Sequence, residues 1–219
     1  MDVRSEVPLT LRWADGCLYV VGSGFAPLGG DDLALDVVVE PGATLTVRTV
    51  AASIAQPDAT GAPSRFSVTA RVGEGATLRW LPEPGVAARG AVHRAEATVE
   101  LAAGAELVWR EEVVLGRHGE PGGRWCSSVD VRTAAGDPIL VQTTEHGGPH
   151  WSSPAVAAGA RAAGSVLLVG PDAPIRPHTY RDGPARLAVL PLAHPGAALV
   201  AALAPDARTL RHLLDRPTP

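Results

Sequence analysis

Lysine is missing from this sequence: all 19 of its basic residues are arginine. That absence removes chemistries that need a side-chain amine, namely a P-loop lysine, a Schiff base or an anchor for pyridoxal phosphate. Cysteine is scarce, and Cys17 and Cys126 stand far apart with no CxxC spacing. They read as idle thiols rather than as a disulfide or a metal pair. No apolar run is long enough to span a bilayer. The opening MDVRSEVPLT lacks the apolar core of a signal peptide, so the expected location is the cytoplasm and no membrane partner is expected. The net charge of −4 comes without any basic run, which argues against nucleic acid as a partner. G-x-S-x-G is absent, and GSG at Gly22–Gly24 lacks the strand-to-helix setting of a nucleophile elbow.

What is present is period-two alternation in a chain of 219 residues, 46% hydrophobic and 19% charged. In DDLALDVVVE, Leu33, Leu35, Val37 and Val39 share one face, with Asp32, Asp36 and Glu40 on the other. HRAEATVEL sets Ala95, Ala97, Val99 and Leu101 against Arg94, Glu96, Thr98 and Glu100. A phrase also recurs three times: Gly42-Ala43 with Leu45, Gly75-Ala76 with Leu78, and Gly104-Ala105 with Leu107. Each copy reads as a tight turn in which glycine takes a positive φ, followed by a leucine that re-enters the core. The pattern predicts one mostly β domain over 1–219, built of stacked β-sheet layers in a β-helix-like arrangement. About two short helices are expected toward the C-terminus, from SPAVAAGARAAG (153–164) and from the segment HPGAALVAALAPDARTLRHLLD (194–215), broken near Pro205. QPDATGAPS (56–64) and GRHGEPGG (116–123) read as mobile surface loops.

Few residues carry chemistry. In ELVWREEVVL, Glu111 shares the face of Leu107, Trp109, Val113 and Leu115, whereas Arg110 and Glu112 point the other way. A carboxylate on an apolar face is costly unless it is paired or reaches water. Two arrangements satisfy that: Glu111 lines a polar cavity, or a strand end turns it outward. Asp31 and Asp32 follow a Gly-Gly turn and are either a metal-binding acid pair or an ordinary strand start. Glu83 lies between two prolines, a stiff setting that suits a contact surface. Glu145, His146 and His150 lie in EHGGPH, where the imidazoles are a weak candidate for nickel or zinc. The other histidines, His93 among them, read as scattered surface residues.

The order of motifs adds a resemblance. GFAPLGGDDLALDVVVEPGATLTVRT (24–49), GEGATLRWLPEPGVA (73–87) and LAAGAELVWREEVVLGRHGEPGG (101–123), followed by GDPIL, GARAAGSVLLVG and LRHLLD, resemble the UreD (UreH) urease accessory protein family in its short actinobacterial form. The resemblance implies a mostly β scaffold that is not an enzyme. Its implied partners are UreF, UreG through UreF, and apo-urease, with a homodimer inside the accessory complex compatible with it. It implies no tightly bound cofactor. Nickel would pass transiently along a polar tunnel, with Asp31, Asp32, Glu83, Glu111 and Arg117 as candidate partner or tunnel residues. Two alternatives lie outside the resemblance. One is a small β-helical enzyme acting on a small polar substrate, with Glu83 and Glu111 as acid and base. The other is an interaction module unconnected with urease.

Overall fold

A computed structural model describes residues 2–24, 26–174 and 176–216. Among them the chain forms β1 (Leu9–Ala14), β2 (Cys17–Gly22), β3 (Asp32–Val39), β4 (Thr44–Thr49), β5 (Ser53–Ala55), β6 (Ser64–Val72), β7 (Thr77–Leu81) and β8 (Gly85–Ala87). There follow β9 (Val92–Leu101), β10 (Glu106–Leu115), β11 (Arg124–Thr133), β12 (Pro138–His146), β13 (Ala162–Val169), β14 (His178–Asp182), β15 (Ala185–Pro191), β16 (Ala197–Ala204) and α1 (Ala207–Leu214). An eleven-stranded sheet runs β1-β2-β4-β7-β10-β13-β16-β15-β14, with β5 and β8 beside it, and faces a five-stranded sheet ordered β12-β11-β9-β6-β3.

The stacking is parallel where the repeated phrase occurs. Thr44 sits beside Thr77, and Thr77 beside Glu106, so β4, β7 and β10 lie in register one coil apart. Their corners are also bonded: Gly42 N–H donates to Glu74 O at 2.9 Å and Gly75 N–H to Ala103 O at 3.0 Å. Gly42, Gly75 and Gly104 all hold positive φ, at 69°, 61° and 66°. Leu78 and Leu107 are fully buried in this register and Leu45 packs against the same core. Each fully buried leucine contributes about 1.5–3 kcal/mol. Two residues further along each strand, Trp80 stacks on Trp109 with ring centroids 5.0 Å apart, while Val47 holds the equivalent place in the first coil. Coil lengths differ because the first coil carries the longer 56–63 segment, whose Asp58 carboxylate binds the N–H groups of Thr60 and Ala62.

The helix expectation needs correction. SPAVAAGARAAG forms turns and then enters β13 at Ala162, and HPGAALVAALA is strand β16, buried between β13 and β15. Only its continuation is helical: α1 starts from Asp206, whose carboxylate accepts from Thr209 N–H at 2.8 Å. Helix α1 lays Leu210, Leu213 and Leu214 on the outer face of β13 and β16. Gly164 lets it approach, since a Cβ there would lie 3.2 Å from Leu210 and 3.1 Å from Leu214.

Candidate functional site

Proline cannot donate to a ladder. Between β7 and β8 the chain reads Pro82-Glu83-Pro84, and this interruption lies opposite residues 110–112 of β10. The sheet opens there. A cavity of about 280 Å³ extends from the break into the space between the sheets, with Glu83 and Glu112 at the break and Glu111, His93, Trp125 and Ser127 inside. A second cavity, of about 640 Å³, is lined by Glu111, His146, Ser165, Tyr180, Arg181 and Arg186. Glu111 and Val113 line both.

Glu111 therefore takes the inward arrangement. Glu111 is half-buried, and its side chain lines both cavities. Burial raises its pKa to about 7, against the Trp109 indole and the Ser127 hydroxyl, which favour the ionised form. Trp109 Nε1 is buried without a partner in hydrogen-bonding geometry. His93 is a correction: it is 2% exposed, with Nδ1 2.9 Å from Ser64 Oγ and its ring 4.2 Å from that of Trp125. Burial lowers His93 to about 4, so the imidazole is neutral at pH 7. The signal was present, because His93 continues the inward face of Ala95, Ala97 and Val99. Gly85 keeps the inner wall in place: a Cβ there would lie 2.2 Å from the Trp125 ring.

On the opposite face of β10, the expected outward Glu112 is 4% exposed because α1 covers it. Arg211 from that helix lies 2.7 Å from Glu112 through Nε and 3.3 Å from both oxygens of Glu83. Arg110 pairs with Glu112 at 3.5 Å and also with Asp215. Burial pushes the Glu112 carboxyl up, and the two guanidinium groups pull it down. Its Oε2 has no hydrogen-bond partner. Local periodicity could not find this cluster, because Arg211 is brought in by a helix far along the chain.

The remaining candidates lie apart. Asp31 closes its own turn, accepting from Leu28 N–H at 2.8 Å, and Asp32 pairs with Arg65 at 3.4 Å on the outer face of β3. Arg117 is exposed and pairs with Glu120 at 2.9 Å, which holds that carboxyl well below its usual range. Arg161 fixes the same loop through the carbonyls of Leu115, Arg117 and Glu120. His146 ends β12 inside the second cavity, with burial lowering it to about 4, whereas His150 is an exposed turn residue. Among the described residues, no three His, Cys, Asp or Glu side chains are grouped to hold a metal ion. Cys17 and Cys126 are free. No described helix is long and apolar enough to cross a membrane.

Comparison with known proteins gives one consistent answer. The family model described as UreD urease accessory protein matches residues 2–217. A urease accessory protein UreD of Parafrankia is 44% identical, over 98% of this chain and 80% of its own length. One from Saccharopolyspora erythraea is 44% identical over 97% of this chain and 79% of its own. One from Streptomyces griseus is 47% identical over 97% of this chain and 86% of its own.

Proposed function

The chain belongs to the UreD family of urease accessory proteins, and from that premise we propose that it is a cytoplasmic, non-catalytic scaffold for inserting nickel into apo-urease. In this reading it binds UreF, receives UreG through UreF, docks on apo-urease, and provides an internal polar route for nickel, which is cargo and not a resident cofactor. The observation that supports a route is the position of Glu111 on the walls of two cavities that lie on either side of it in the sandwich. A conduit must offer a cation oxygen or imidazole groups without trapping it. A half-buried carboxyl flanked by one neutral imidazole in each cavity, with no grouped ligand set among the described residues, fits that requirement. Glu83 and Glu112, held by Arg211 at the break in the sheet, would flank the outer mouth.

Coexpression with the urease and accessory proteins tests the reading. Wild-type chain should copurify with UreF and apo-urease. Glu111→Ala should still copurify with both, yet leave the urease with less nickel and lower activity. Full activation by Glu111→Ala would remove the route through Glu111, and failure of the wild type to copurify would remove the scaffold.

A further inference from the structure

The first coil leaves an edge open. Strand β3 pairs with β6 on one side only. Arg65 N–H donates to Asp31 O, and Gly73 N–H to Val39 O. In a parallel ladder the two backbone groups of one residue point to the same neighbour, and the direction alternates along the strand. Asp32, Ala34, Asp36 and Val38 therefore turn their N–H and C=O groups to the free edge. No described backbone group bonds them: residues 2–7 stay exposed alongside without pairing. Beyond this edge lies a groove of about 1070 Å³, floored by Leu9, Leu11 and Leu18 from one sheet and Leu33, Leu35 and Val37 from the other. Trp13 and Val38 stand at it half or more exposed, at 50% and 61%.

Charge selects the occupant. Asp2, Glu6, Asp32, Asp36 and Glu40 line the groove against one arginine, Arg4, which is paired with Asp2. Glu6, Asp36 and Glu40 have no ion-pair partner among the described residues. A second copy of this chain placed edge to edge would set acidic β3 against acidic β3, which is unfavourable. We propose that the free edge of β3 is a docking site for an extended basic segment of a protein partner, added as one more strand of the five-stranded sheet. Its side chains would alternate. Apolar residues would continue the row of Leu33, Leu35 and Val37 over the groove floor, and arginine or lysine residues four positions apart would face Asp32 and Asp36 on the outside. Pairing by backbone would give affinity, and the alternation specificity. The groove shares Leu9 and Leu33 with the first cavity around Glu111, but the docking edge is the backbone of β3 and its test reads peptide binding and not nickel transfer, so the two readings fail separately.

The test uses the full chain and two short capped, fluorescently labelled peptides, Arg-Val-Thr-Val-Arg-Val and its Glu-for-Arg counterpart, followed by anisotropy. Val38 is at an edge position whose N–H is free, so Val38→Pro removes a donor the new strand needs while leaving the β6 ladder intact. Asp36→Arg reverses an exposed charge and does not depend on how proline is tolerated; circular dichroism establishes the fold of both. The arginine peptide should bind saturably, slow amide exchange within Asp32–Val39, and bind both variants about tenfold or more weakly, a shift of 1.4 kcal/mol. The glutamate peptide should not bind wild type. Undiminished binding to folded Val38→Pro, equal binding of both peptides, protection at β12 or β14 in place of β3, or no saturable binding would each overturn the proposal.

Discussion

Glu111 is the residue whose energetics are most exposed to measurement. Its ordinary pKa of 4.5 rises to about 7 in the fold, so between these values the native state keeps a proton that the unfolded chain has released. Stability then falls as pH rises through that window. His93 and His146 act oppositely: lowered from 6.5 to about 4, they lose stability as pH falls from 6.5 toward 4, where the unfolded chain takes up protons that the native state refuses. Glu111→Gln should therefore match wild type on the acid side and gain on it progressively between pH 4.5 and 7, by about 3 kcal/mol at the alkaline end. Urea midpoints at pH 5, 6.5 and 8 would reveal it, and parallel profiles for the two proteins would contradict it. Arg211 carries a different burden. Arg211→Ala leaves Glu112 buried with Arg110 alone beside it, a loss of about 3 kcal/mol. Adding Glu112→Leu should recover most of that loss by removing the stranded carboxylate; a double variant no more stable than the single would show that the cost lies in the packing of Arg211 and not in the charge.

At the scale of elements, the strands that alternate were legible, and β16, which does not, was misread. Strands β3 and β9 each have one face inward, so apolar and polar residues take turns, and the corner glycines between coils mark where each strand begins. Strand β16, Ala197–Ala204, is buried on nearly every residue, and a run of alanine, leucine and valine with both faces covered carries no period to distinguish it from a helix. The site divides in the same way. Glu111 could be placed by the face of β10 on which it lies, and His93 by extending the face of β9. Glu112 could not, because the cover that buries it is α1, and nothing near residue 112 encodes that contact. Two glycine substitutions separate the roles that this residue plays in the elements. Gly104→Ala keeps open space around the new methyl, with nothing nearer than 3.9 Å, and is strained only by its φ of +66°, a cost of about 1 kcal/mol. Gly85→Ala has no such φ but drives a methyl into Trp125, so it should cost about 1–3 kcal/mol and alter the near-ultraviolet circular dichroism as the indole moves. Equal melting temperatures and unchanged spectra for Gly85→Ala would mean that the wall of the cavity yields freely.

At the scale of the whole molecule, β10 contributes to all three apolar clusters. Leu107 and Trp109 belong to the apolar cluster between the parallel coils, Val113 and Leu115 to the one around Trp125, and Val108 and Val114 pack against the cluster beneath α1. A stack of coils that contact only their neighbours can come apart in steps, but a strand shared by all three clusters couples them. The tryptophans report on this directly, since Trp80 and Trp109 lie in the first cluster and Trp125 in the third, while circular dichroism follows all the strands together. Unfolding in urea should give coincident transitions by both probes. Leu107→Ala, at a position with no exposure, should lower both midpoints together by about 2–5 kcal/mol. Leu213→Ala touches only the cluster beneath α1 and should loosen α1 and β16 in amide exchange well before β3 and β6 respond. If Leu107→Ala instead splits the two probes, so that fluorescence and circular dichroism move by different amounts, then the coils unfold by layers and β10 does not bind them into one cooperative unit.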